Sequence, residues 1–115
     1  MHSLLLRALA VLLALWSADA ALAVPPFNCS VVVEPAEIAI CDSADLGLLD
    51  RSMNRLYGDR RMALKAAGRL DEWEQLRLDQ HAFLKIRNAC GYDVPCLIEL
   101  YNKRNDLLAK PAAAP

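Results

Sequence analysis

The stretch QHAFLKIRNACGYDVPCLIELYNKR, Gln80 to Arg104, decides how this chain folds. Before Cys90, the residues Gln80, Phe83 and Arg87 recur at steps of three and four, and after Cys96 the same rhythm returns in Leu97, Leu100, Tyr101 and Arg104. A turn of about 3.6 residues brings positions so spaced onto one face, so each flank predicts an amphipathic helix. The centre, Cys90-Gly91-Tyr92-Asp93-Val94-Pro95-Cys96, holds the signals that stop one helix and start another. Glycine accepts the left-handed backbone that closes a helix. Asp93 suits an N-cap, and Pro95 falls in a first turn, where a missing N–H is tolerated.

Outward from this stretch the rhythm continues. Trp73 and Leu76 extend the upstream seam back to Asp71, which can cap that helix, and Leu108 extends the downstream stripe. Gly68 separates an earlier helix, capped by Ser43 with Asp45 in its first turn. Its stripe is Leu46, Leu49, Met53, Leu56, Ala63 and Ala67, skipping Arg60, while Gly58 weakens its middle by about 1 kcal/mol relative to Ala. Glu34 to Cys41 reads as a short helix with Pro35 at its first position. The segment before it is an extended lead-in that touches the core through Phe27. Lys110 to Pro115 has nothing to pack and reads as a disordered tail.

There is no sustained strand alternation and no repeat. The fold class is therefore all-α, a small antiparallel helical hairpin or three-helix domain. Counting from a turn near Gly68 sets Leu56 level with Phe83 and Met53 with Arg87, so Asp50 is expected to pair with Arg87, with Arg104 close by.

The chain opens with one cation, Arg7, an apolar run from Ala8 to Trp16, and a small-residue cleavage pattern at Ala21-Leu22-Ala23. This predicts a signal peptide over 1–23 and a helical domain over 24–109, periplasmic or secreted, with no membrane attachment after cleavage. Cleavage removes Arg7 and Asp19, so the net charge stays at −1. Such neutrality argues against a nucleic-acid partner, which favours a basic stripe, and equally gives no sign of strong electrostatic steering toward a basic partner.

All four cysteines, Cys29, Cys41, Cys90 and Cys96, lie beyond the leader, and an even count in a short exported chain reads as a disulfide framework. Three connectivities are possible. The local one, Cys29–Cys41 with Cys90–Cys96, closes the smallest loops and is the expected one. Zinc sites usually bring cysteines separated by two to four residues, and redox pairs a C-x-x-C near a βαβ unit. Neither pattern is present. Without the leader, His81 is the only histidine, and no nucleophile elbow or phosphate loop occurs. The acidic run Asp71-Glu72-Trp73-Glu74 opens a helix, where the helix dipole alone favours it. Neither enzymatic activity nor a cofactor or metal is expected.

With the residues laid out, the chain resembles the LprI-type N-terminal domain family of small exported proteins, named after a lysozyme inhibitor. The resemblance runs from about Phe27 to Ala109. Its carriers are Phe27 and Cys29; Ala36 to Cys41; Leu49, Asp50, Met53 and Tyr57; Gln80, Phe83, Leu84, Arg87 and Cys90; and Cys96, Leu97, Tyr101, Arg104 and Leu108. It departs at Glu34, where the family has Ser or Thr, at Phe83 for Trp, and at Asn88 for Asp. The resemblance implies a non-enzymatic binding protein that inhibits a C-type lysozyme. Among the matched residues, Leu49, Met53, Phe83, Leu97 and Tyr101 read as core, and Asp50, Gln80, Arg87 and Arg104 as polar ties within it.

A loop closed by a disulfide loses little entropy on binding, and Tyr92 and Asp93 offer an aromatic anchor and an acceptor to a protein partner. The alternative is that Tyr92 packs on the hairpin end and Asp93 only caps the next helix. Two other functions stay open: an envelope interaction module acting through exposed positions such as Leu48 or Met62, and a small enzyme or redox protein.

Overall fold

A computed structural model describes residues 27–111. The expected signal peptide and residues 112–115 of the expected tail lie outside the described residues. The described chain forms four helices and no strand: α1 (Pro35–Asp42), α2 (Ala44–Ala66), α3 (Leu70–Ala89) and α4 (Val94–Ala109). It is the expected all-α hairpin domain, with the short helix in front. Two local disulfides staple it, Cys29–Cys41 and Cys90–Cys96, with Cα–Cα distances of 5.8 and 5.9 Å. Disulfides of this kind belong to an oxidising compartment.

Each boundary has a local cause. Pro35 opens α1, and Glu34 at its cap position makes no side-chain bond to the helix. Ser43 serves two helices: its N–H donates to the Ala39 carbonyl that ends α1, and its Oγ accepts from the Leu46 N–H of α2 at 3.3 Å. After α2, Gly68 takes φ +71°. The Gly68 and Arg69 N–H groups then return to the Lys65 and Leu64 carbonyls, the two bonds of a Schellman closure. That closure places Arg69 at the start of α3, so the helix begins at Leu70 and Asp71 lies in its first turn. Asp71 is not the cap, as the sequence had suggested. Gly91, at φ +58°, ends α3, and Asp93 caps α4 by accepting from the Cys96 N–H at 3.1 Å.

The core joins Ala36, Ala39 and Ile40 of α1 to Leu46, Met53 and Leu64 of α2, to Leu76 and Phe83 of α3, and to Leu97, Tyr101 and Leu108 of α4. Phe27 packs against it, as expected. Ala63 and Ala67 are exposed, and Leu64 is buried in their place. The reason is geometric. A seam counted in alternating threes and fours follows a 3.5-residue period, whereas a straight helix drifts by about 20° per heptad from it. Leu46 and Leu64 lie 18 residues apart, five whole turns at about 3.6 residues each, and so share one line on the helix.

Arg60, which interrupts the predicted stripe, reaches across to the end of α4. Its guanidinium donates to the Leu107 carbonyl at 3.4 Å and to the Lys110 carbonyl. The last carbonyls of a helix lack intrahelical donors and carry partial negative charge, which suits a cation. Lys110, assigned to the tail from sequence, is thus tied to α2.

Candidate functional site

Beneath the surface, the polar residues singled out in the sequence meet in the core, with partners that differ from the expected ones. Asp50 is 1% exposed and accepts from the Tyr101 hydroxyl at 2.7 Å and from Asn54 Nδ2 at 3.3 Å. Arg87, 5% exposed, donates to Glu37 of α1 at 3.1 Å and to Asn88 Oδ1 at 2.9 Å. No direct Asp50–Arg87 salt bridge forms: Asp50 bonds Tyr101 and Arg87 pairs with Glu37, while the Arg87 charge still acts on Asp50. Arg104 donates to Gln80 Oε1 at 2.9 Å, and Gln80 Nε2 donates to Met53 Sδ at 2.9 Å. Met53 thus faces Gln80, about two turns from Arg87. Phe83 and Tyr101 stack edge to face at 5.4 Å, with the Arg104 guanidinium 5.7 Å from the Phe83 ring.

Burial pushes the Asp50 carboxyl above its ordinary value of 3.8, against the opposing pull of the Tyr101 hydrogen bond and the Arg87 charge. A carboxyl raised in the folded state favours folding most where it is protonated. Its contribution is full below the unfolded value and is lost as pH rises through the folded one. Asp50→Asn, which cannot ionise, should therefore gain on the native protein as pH rises from about 4 to 7. Urea unfolding at the two pH values measures this; an Asn variant that loses ground with rising pH contradicts it.

The surface above this network is built where two connections meet. The Tyr92 hydroxyl donates to Asp42 Oδ2 at 2.9 Å, which joins the Cys90–Cys96 loop to the α1–α2 junction. That bond, with some desolvation and the Asp42 charge, pushes the Tyr92 hydroxyl above its ordinary 10.0. Tyr92 is nevertheless 54% exposed, its ring open to solvent. Asp93 is exposed too, with Oδ1 engaged in capping α4. The capping role weighed from sequence is thus present, and Tyr92 is held by a side chain of another helix.

This end of the domain has a distinct charge. Asp42, Asp45 and Asp93 are exposed there, and neither 38–50 nor 88–98 contains a lysine or arginine. Sequence reading named Tyr92 and Asp93 and missed Asp42. Its signal was a carboxylate beside Cys41, next to the disulfide that brings the N-terminal segment onto α1.

The hollows of the surface lie elsewhere. One of about 470 Å³ is bounded by Leu56, Arg60, Leu64 and Leu108, and another of about 480 Å³ runs between α2 and α3 beside Met62 and Trp73. His81 is exposed on α3. Among the described residues, no three His, Cys, Asp or Glu side chains group so as to hold a metal ion, and no helix is long and apolar enough to cross a membrane. Comparison with models of known families, with curated proteins and with solved structures returns no match to this chain.

Proposed function

We propose that this chain is an exported, non-enzymatic binding protein of the LprI type, periplasmic or secreted, whose clipped end docks onto a basic protein such as a C-type lysozyme. The observation that carries the reading is the setting of Tyr92. The ring is more than half exposed, yet its hydroxyl is tethered to Asp42 and its loop is closed by a disulfide. A ring already positioned gives up little freedom on binding, and tyrosines are common anchors of interfaces. The surrounding carboxylates complement a cationic partner and speed its encounter.

What supports the family reading is that residues carrying the resemblance meet one another. Asp50 bonds Tyr101, Gln80 bonds Arg104 and Met53, and each disulfide joins two consecutive motifs of the pattern. At Asn88, where the family pattern has Asp, the amide oxygen accepts from Arg87, the contact a carboxylate would make with more strength.

The test is cell-wall lysis by a C-type lysozyme in the presence of the exported form in molar excess. Lysis should slow, and Tyr92→Ala, with its melting temperature unchanged, should relieve most of that inhibition. Undiminished lysis at large excess would refute the reading. A second reading, an envelope interaction module without inhibitory activity, draws on Leu48 and Met62, which are 56% and 67% exposed on α2. It predicts an envelope protein retained by the native chain and released by Leu48→Ser with Met62→Ser, while lysis is unaffected.

A further inference from the structure

Neither the core nor the clipped end uses the groove between α2 and α3. Arg55, Gly58, Arg61, Met62, Lys65 and Trp73 line it, with Asp59 as its one carboxylate. Arg55 and Lys65 have no carboxylate partner among the described residues, and the Arg61 guanidinium sits 5.4 Å from the centre of the Trp73 ring. Met62 is exposed beside them. The space above Gly58 is open: a Cβ there would meet nothing within 4 Å. A glycine inside a helix costs about 1 kcal/mol relative to alanine, and packing does not require this one.

The spacing of the cations indicates what the groove fits. Arg55 to Lys65 spans about 15 Å along the helix, with Arg61 and Lys65 one turn apart on one face and Arg55 about 80–120° around from them, so the three charges are spread over the groove and do not converge on one point. A single phosphate would meet one or two of them. A chain bearing several carboxylates can meet all three, and Met62 with Trp73 gives an apolar side chain of the same segment a surface to rest on. Gly58, at the centre of the groove, lies about 21 Å along α2 from its start at Ala44, so the groove is separate from the clipped end and does not rest on that reading.

We propose that the α2–α3 groove over Gly58 binds an acidic, extended peptide segment of a protein partner, with carboxylates along Arg55, Arg61 and Lys65 and an apolar side chain against Met62 and Trp73. The two tryptophans of the chain are Trp16 and Trp73. In the exported Trp16→Phe protein, Trp73 is the one tryptophan whether or not the leader is removed, so its emission reports on the groove. The probe is a synthetic glutamate-rich peptide with one central leucine, with calorimetry alongside. The matching lysine peptide and vesicles of phosphatidylglycerol serve as comparisons.

Saturable emission change and heat with the acidic peptide alone are expected, weakening as salt is raised. Arg61→Glu with Lys65→Glu should raise the Kd at least tenfold. Gly58→Leu, which fills open space, should abolish binding while the melting temperature holds or rises. Absence of both signal and heat would overturn the proposal, as would equal binding by the charge-reversed and Gly58→Leu variants. Equal binding to the lipid vesicles would overturn it in favour of a membrane surface.

Discussion

Reducing both disulfides lowers the stability of this domain by about 5 kcal/mol, which is enough to bring it close to its unfolding midpoint. The bridges join residues 12 and 6 positions apart. Closing loops of that size restricts the unfolded chain by about 3 and about 2 kcal/mol in turn. A domain of this size has a total stability of only about 5–10 kcal/mol, since its core is short of buried surface. Far-UV circular dichroism in urea, on the oxidised and the reduced, alkylated protein, measures the difference. Paired substitutions then divide it, with Cys29→Ser/Cys41→Ser expected to cost more than Cys90→Ser/Cys96→Ser. The second pair has a further effect, because it frees the loop that carries Tyr92 while leaving the Asp93 cap in place. Reduced protein melting within a few degrees of the oxidised form would show that the helices hold without their staples.

Arg87→Met should cost about 3 kcal/mol, a large loss for a change that removes little core volume. Removing one member of a buried ion pair leaves the other charge without compensation, a loss of about 3–5 kcal/mol where both are buried. The lower figure applies because the Glu37 side chain is 28% exposed and recovers some hydration. Methionine keeps most of the volume, so the loss reports charge and hydrogen bonding rather than a cavity. Arg87 also lowers the Asp50 carboxyl against the effect of burial, so its removal raises that group further. The deficit should therefore shrink in acid, where Asp50 is protonated in both proteins. Arg87→Lys should recover only part of the stability, since an ammonium lacks the planar fork that reaches Glu37 and Asn88 together. Urea unfolding at pH 7 that places Arg87→Met within about 0.5 kcal/mol of the native chain would contradict this role.

The helices themselves were legible because their punctuation is chemical. Ser43 and Asp93 cap where their side chains can accept, Gly68 and Gly91 take positive φ where helices must stop, and the local cysteine pairing follows from short loops. Partner choice in the core was not legible. Counting along a hairpin treats α2 and α3 as each other's main neighbours, whereas α4 lies along α2 and brings Tyr101 to Asp50 and Asn105 to the Leu49 carbonyl. Arg87 is then free for α1, where Glu37 meets it. The stripe that skipped Arg60 carried a usable signal, since a cation in core phase near a helix end asks for carbonyls to bind. At the candidate site, the sequence placed Tyr92 and Asp93 on a closed loop. The tether to Asp42 depends on two elements 50 residues apart and appears only in the fold.

The clipped end, held by Asp42 and the Cys90–Cys96 bridge, is the surface we propose to meet a basic partner. The most direct measurement is amide chemical-shift mapping of the labelled chain during titration with a C-type lysozyme. Shift changes should be confined to residues around Asp42 and to Gly91 through Cys96, and should be abolished in Tyr92→Ala. A spectrum that does not change, or changes centred on the α2–α3 groove with the clipped end undisturbed, would contradict the proposal.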